Sequence, residues 1–126
     1  MKTLGEPRLE RVALICMSLP EAVRVDHGSH AAFTVRKKTF AYFLNDHHGD
    51  GIVSACSRAF PGENKALVVA HPRKFHLPAY IGPRGWVGLR LDRGKVDWTE
   101  GRGLVTSSYL QVAPRRLAAA VEAGIS

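Results

Sequence analysis

Hydrophobic and polar positions along this chain change period repeatedly, and each change marks an element boundary. Over residues 6–18, Leu9, Val12, Ala13 and Cys16 recur at helical spacing and form one apolar stripe. Pro7 suits the first turn of that helix, where a missing N–H costs nothing. Ser18-Leu19-Pro20 stops it, because the residue before a proline avoids the helical region. From Glu21 to Asp26 the pattern alternates, with Ala22 and Arg24 on one face and Val23 and Val25 on the other. Alternation is stronger over 31–36, through Phe33 and Val35, and over 39–45, through Phe40, Tyr42 and Leu44. Arg36-Lys37-Lys38 falls between these strands, at an expected hairpin tip. Asp46-His47-His48-Gly49-Asp50-Gly51 is a polar, glycine-rich turn leading into a strand over 52–57. Four strands in series with short links predict an antiparallel meander.

Pro61-Gly62-Glu63 opens a short helix through Ala70, with Ala66, Leu67 and Val69 or Ala70 expected to face inward, and His71-Pro72 closes it. Residues 72–85 hold three prolines and two glycines and read as a loop with a constrained path. Trp86 to Leu91 is the last predicted strand, with Val87, Leu89 and Leu91 on one face and Trp86, Gly88 and Arg90 on the other. Asp92-Arg93-Gly94-Lys95 is a turn. Asp97-Trp98-Thr99-Glu100 reads as a reciprocal capping box, followed by a helical stripe of Leu104, Val105, Ser108, Tyr109 and Val112. Pro114 starts a final helix carrying Leu117, Ala118 and Val121, whose tail Gly124-Ile125-Ser126 is expected to fray. The order is helix, four strands, helix, strand, two helices. It predicts a single α+β domain over 1–126, an antiparallel sheet of about five strands with helices packed on one side.

At 126 residues the chain is long enough to bury a core without staples. Its apolar runs are far too short to span a bilayer, so no membrane partner is expected. Met1 to Pro7 is polar and lacks a signal-peptide apolar region, which makes cytoplasmic residence the expectation. Cys16 and Cys56 lie apart inside apolar segments and read as small buried thiols.

Charge changes the picture more. The net charge is +7, and residues 61–126 carry +5 of it, from 10 basic and 5 acidic side chains. Such an excess favours polyanions. The candidate contacts are Arg36, Lys37 and Lys38 at the first hairpin tip, Arg90, Arg93 and Lys95 around the second turn, and Arg115 and Arg116 at the start of the last helix. Cations at a helix N-terminus are locally unfavourable, and an anion there relieves the clash. Solvated surface cations are the competing reading of all eight.

Other chemistry is poorly supported. His27, His30, His47 and His48 with Asp26, Asp46 and Asp50 offer suitable ligand types, but no standard zinc spacing, and no metal or cofactor is expected. Ser107, Ser108 and Cys56 lack a nucleophile elbow or a Cys/His/Asn arrangement, so an enzyme is not expected. Tyr80, Trp86 and Tyr109 form a candidate aromatic cleft, against the plainer reading of core and sheet-edge packing.

Several strings, taken in order, are similar to the MmcQ/YjbR family of small bacterial proteins. They are Cys16-Met17-Ser18-Leu19-Pro20-Glu21-Ala22, the segment from Asp26-His27-Gly28 to Phe33, Phe40-Ala41, and Pro72, Phe75, Pro78, Tyr80-Ile81-Gly82 and Gly85-Trp86-Val87. The resemblance implies a frataxin-like fold, an antiparallel sheet backed by helices in a "double wing" DNA-binding arrangement. Gly101-Arg102-Gly103 departs from the family's pattern and implies a helix that begins late. The expectation is therefore a monomeric, non-enzymatic module that contacts DNA backbone through basic hairpin tips. The alternative is an interaction or small-ligand scaffold using the aromatic cleft.

Overall fold

In the computed structural model, described over residues 6–125, six strands form one antiparallel sheet in the order β1-β2-β3-β4-β6-β5. The strands are β1 (Val23–His27), β2 (His30–Val35), β3 (Lys38–Asn45), β4 (Val53–Arg58), β5 (Phe75–His76) and β6 (Trp86–Arg90). Four helices complete the fold: α1 (Pro7–Met17), α2 (Glu63–Ala70), α3 (Trp98–Val112) and α4 (Arg115–Ile125). Met1–Gly5 and Ser126, read above for targeting and fraying, lie outside the described residues.

The core lies between one face of the sheet and the helices. Leu9, Val12 and Cys16 of α1, Val105 and Tyr109 of α3, and Leu117 and Val121 of α4 meet Phe33, Phe43, Val87 and Leu89 of the sheet. Phe33, Phe40, Phe43 and Phe75 are wholly or almost wholly buried, and each contributes about 1.5–3 kcal/mol by leaving water. The other face carries a smaller apolar cluster of Leu44, Cys56 and Trp86, with Tyr42 and Ile81 packed on it.

Several sequence expectations need correction. The sheet has a sixth strand, because Phe75 and His76 pair with Leu89 and Gly88 inside the segment expected to be loop. Phe40 does not share a face with Tyr42 and Leu44. Phe33 pairs with Ala41 and Thr34 with Thr39, so Phe40 is an extra residue in a β-bulge, and both Phe40 and Ala41 are buried in the helix-side core. Helix α2 turns Asn64, Leu67 and Val68 inward and leaves Ala66, Val69 and Ala70 exposed. Helix α3 does not begin late. Asp97 Oδ1 accepts the Glu100 N–H at 3.1 Å and the helix runs through both glycines. Buried Gly101 lets α3 approach Leu89 closely. Glu100 does not reach back to close a capping box; it pairs with Lys74 Nζ at 2.6 Å.

Candidate functional site

Strand β4 runs antiparallel to both β3 and β6, so β3 and β6 run the same way and begin at the same end of the sheet. That end also holds the β2–β3 turn and the end of β4. Lys38 opens β3, Arg58 closes β4 opposite Trp86, and Arg84 lies in the turn before Trp86. Three cations distant in sequence thus converge at one corner of the face that carries no helices.

Each is held there by backbone bonds. The β3–β4 ladder runs from Asn45 and Val53 to Ala41 and Ser57. The next pair, Phe40 and Arg58, is bridged by the buried Ser108 of α3. Its hydroxyl donates to Phe40 C=O at 2.6 Å and accepts Arg58 N–H at 2.9 Å. One turn later, Gln111 Nε2 donates to Arg58 C=O at 3.2 Å. The N–H of Ala59 then donates to Gly85 C=O at 2.8 Å, joining Arg58 to the turn that carries Arg84. Gly85 has φ +97°, a conformation that strongly favours glycine. Asn64, only 4 % exposed, donates to Gly82 C=O at 2.9 Å and Trp86 C=O at 3.2 Å, clamping the same turn from α2.

The result is a cavity of about 510 Å³ whose lining includes Lys38, Arg58, Arg84, Tyr42, Trp86 and Gln111. Among the described residues, no acidic side chain lines it and no carboxylate forms an ion pair with any of the three cations. The rings of Tyr42 and Trp86 sit 5.0 Å apart, tilted by 50°, and the Arg58 guanidinium lies 5.7 Å from the centre of the Trp86 ring. A second cavity of about 530 Å³ adjoins the first. It shares Arg58, Arg84 and Gln111 and adds Lys65, again without an acidic side chain.

The cations singled out from sequence divide between the two ends of the sheet. Arg36, Lys37, Lys38 and Arg116 share the end that holds the cavity. Arg36 and Arg116 both pair with Glu21, at 2.5 and 3.6 Å, and the Arg36 hydrogen bond holds the Glu21 carboxyl below its usual range. Arg115 and Lys37 are exposed. Arg90 closes β6 and Arg93 and Lys95 follow it, at the opposite end, where Arg90 pairs with Asp92 at 2.9 Å. There, Arg73, Lys74, Arg93, Lys95 and Asp97 border a separate cavity of about 550 Å³.

The aromatic cleft expected from Tyr80, Trp86 and Tyr109 does not assemble. Tyr109 lies in the helix-side core, its ring edge-on to Phe40 at 5.3 Å and its hydroxyl donating to Pro20 C=O at 2.8 Å. Tyr80 is exposed and leans on His48. Trp86 alone lines the cavity, with Tyr42 as its partner. Ile81, carried by the 77–85 segment, packs on the same Leu44–Cys56–Trp86 cluster as Tyr42. Sequence reasoning missed Arg58 and Arg84, and with them Tyr42 as an aromatic wall.

His30, His47 and His48 cluster at the far end of β3, with ring centres 5.4 and 4.1 Å apart. Among the described residues, no three His, Cys, Asp or Glu side chains are placed to hold a metal ion. Burial pushes the Cys56 thiol up to about 12 and the Cys16 thiol above its usual range. No described helix is long and apolar enough to cross a membrane.

The fold is similar to the crystal structure of protein DR2400 from Deinococcus radiodurans, described as carrying a DUF419 domain, with a TM-score of 0.68 and 21% identity over 85% of this chain and 79% of that one. No curated protein matches the chain. The model of the YjbR family matches residues 17–111, which span the whole sheet, the Arg58 and Arg84 turns and the Ser108–Gln111 grip, and the chain belongs to that family.

Proposed function

We propose that this protein is a non-enzymatic, cytoplasmic nucleic-acid-binding module that contacts phosphates through Lys38, Arg58 and Arg84. The observation that carries this reading is the convergence of three cations, none with an acidic partner, on a cavity walled by Tyr42 and Trp86. Placing unpaired cations together is electrostatically unfavourable, and a polyanion relieves that repulsion while releasing its own counterions. Exposed Lys37, next to Lys38 in the β2–β3 turn, extends the same positive corner beyond the cavity. The buried, unpaired thiols of Cys16 and Cys56 suit a reducing compartment.

Relative to the hairpin-tip reading, the contact moves inward. Arg36 is occupied by Glu21, and Arg90 by Asp92, so neither is a primary grip. The test is anisotropy of a labelled DNA oligonucleotide titrated with salt. Binding in the low micromolar range at low salt, weakening steeply as salt rises, is the expected result. The Arg58→Ala/Arg84→Ala pair should reduce the slope of log K against log salt by about two, close to one per lost phosphate contact. A flat salt response would overturn the proposal. The cavity's size also suits a single small anion with a planar ring. Calorimetry with a free nucleotide separates this second reading, since tight binding of the nucleotide with no binding of the oligonucleotide favours it.

A further inference from the structure

We infer that the nucleic acid held at this corner is a single strand, with one base entering the Tyr42–Trp86 cavity while the backbone crosses Arg58 and Arg84 toward Lys65. The inference rests on the nucleic-acid reading above and narrows it to a substrate class.

The shape of the charge carries the argument. A surface built for duplex backbone presents cations on a ridge or a convex tip, because a duplex offers phosphates outside and keeps its base faces stacked inside. Here the unpaired cations line a concavity of about 510 Å³ in which half-buried Tyr42 offers a ring and buried Trp86 backs it. An aromatic wall contributes only to a ligand with an uncovered ring face. Tyr42 is half-buried, and the Arg58 guanidinium beside Trp86 is a second planar surface. An unstacked base meets both, whereas a paired base meets neither.

The second cavity supplies direction. It adjoins the first across Arg58 and Arg84, contains no aromatic side chain, and adds Lys65. The two cavities therefore differ as a base and a phosphodiester differ: one has ring faces and cations, the other cations and the backbone of the Gly82–Gly85 turn. Arg58 and Arg84 line both cavities, so a phosphate between two nucleosides is the group they suit. Gln111 lines both as well, with its side-chain amide anchored on Arg58 C=O. None of these contacts reads a base edge, so the strand is held with little sequence preference.

The experiment compares three labelled ligands of equal length at low salt: a thymine oligonucleotide, a mixed-sequence duplex, and an abasic strand with the same phosphodiester charge. The single strand should bind about tenfold or more tighter than the duplex. The abasic strand should lose most of that advantage while keeping the same salt slope. Tyr42→Ala should weaken the single strand and leave the duplex unchanged. Arg58→Lys, which keeps the charge and removes the planar guanidinium, should reduce the preference without abolishing binding. Trp98→Phe leaves Trp86 as the sole tryptophan, and its emission should change on adding the single strand.

Equal affinity for single strand and duplex, both weakened alike by Arg58→Ala/Arg84→Ala, would overturn this inference while leaving the nucleic-acid reading intact. Absence of binding to all three ligands would overturn both. An abasic strand that binds as tightly as the thymine strand would also overturn it, because the aromatic wall then has no ligand ring to meet.

Discussion

The hydroxyl of Ser108 accepts the backbone N–H of Arg58 at 2.9 Å, across 50 positions of sequence. Since the same hydroxyl donates to Phe40 C=O, one wholly buried side chain satisfies a donor and an acceptor where the β3–β4 ladder parts. Ser108→Ala leaves both groups without this partner. The expected loss is about 1–3 kcal/mol, because a buried polar group deprived of its partner bears its desolvation cost. Urea denaturation measures it, and a change below about 0.5 kcal/mol, the ordinary range for a surface substitution, would contradict the role.

Asn64 occupies a position where a helix stripe calls for an apolar side chain. Its amide donates to the Gly82 carbonyl in the turn before β6 and to the carbonyl of Trp86, which opens β6. Asn64→Leu keeps the branched shape and removes both donors. Stability should fall by about 1–3 kcal/mol, and oligonucleotide affinity should fall with it, because Arg84 sits between the two clamped residues. Asn64→Leu with undiminished affinity would show that the clamp does not position Arg84.

Gly88 faces His76 across the β5–β6 pair. A Cβ at Gly88 would collide with His76 Nε2 and lie 2.6 Å from its Cδ2. Gly88→Ala should therefore destabilise by about 1–3 kcal/mol through overpacking. In a His76→Ala background the same change should cost far less. The double-mutant cycle should return a coupling of about 1 kcal/mol or more, while additive effects would argue against the contact.

His30, His47 and His76 all have their pKa lowered, in each case first by desolvation. At His47, repulsion from His48 and His30 adds to the shift while Asp50 opposes it. At His30, His48 and His27 lower the value, and Asp50 and Asp46 raise it. These groups bind a proton less readily in the folded protein than in the unfolded chain, whose histidines charge as the pH drops below about 6.5. The unfolded chain then binds more protons, so stability should decline as pH falls from about 7 toward 5. Denaturation midpoints across that range test the sign. His76→Asn should flatten the decline, and a stability that rises on acidification would contradict it.

Neither cysteine should react with a thiol reagent in the native protein. Both are buried, and burial holds the Cys56 thiol near 12, so thiolate is scarce at neutral pH. In denaturant both should be modified rapidly. Rapid native labelling of either would show that its segment opens.

The meander of four strands was legible because turn residues and alternation coincide from Val23 to Arg58. β5 was not, since two residues carry no period and Phe75-His76 is a strand only through its pairing with β6. The bulge at Phe40 was hidden for a related reason: an extra residue changes the phase of β3 without changing its composition. The inward face of α2 was misread because its most buried member is Asn64, placed there for its donors rather than its hydrophobicity. At the candidate site, Lys38 and Trp86 could be picked out as residues, but Arg58 and Arg84 could not. Arg58 looks like an ordinary polar terminus of an apolar strand, and only the common direction of β3 and β6 brings it beside the other two.

That shared direction makes the corner vulnerable to slippage. Ser57 and Arg58 point to opposite faces, so deleting one residue from β4 would swap their sides. The guanidinium would be driven among the phenylalanines and Ala59 would take its place opposite Trp86. Length changes at the polar hinge between β3 and β4 leave this alternation untouched. Homologous chains should therefore vary in the number of residues between Asn45 and Val53, while keeping unchanged the count from Val53 to Arg58.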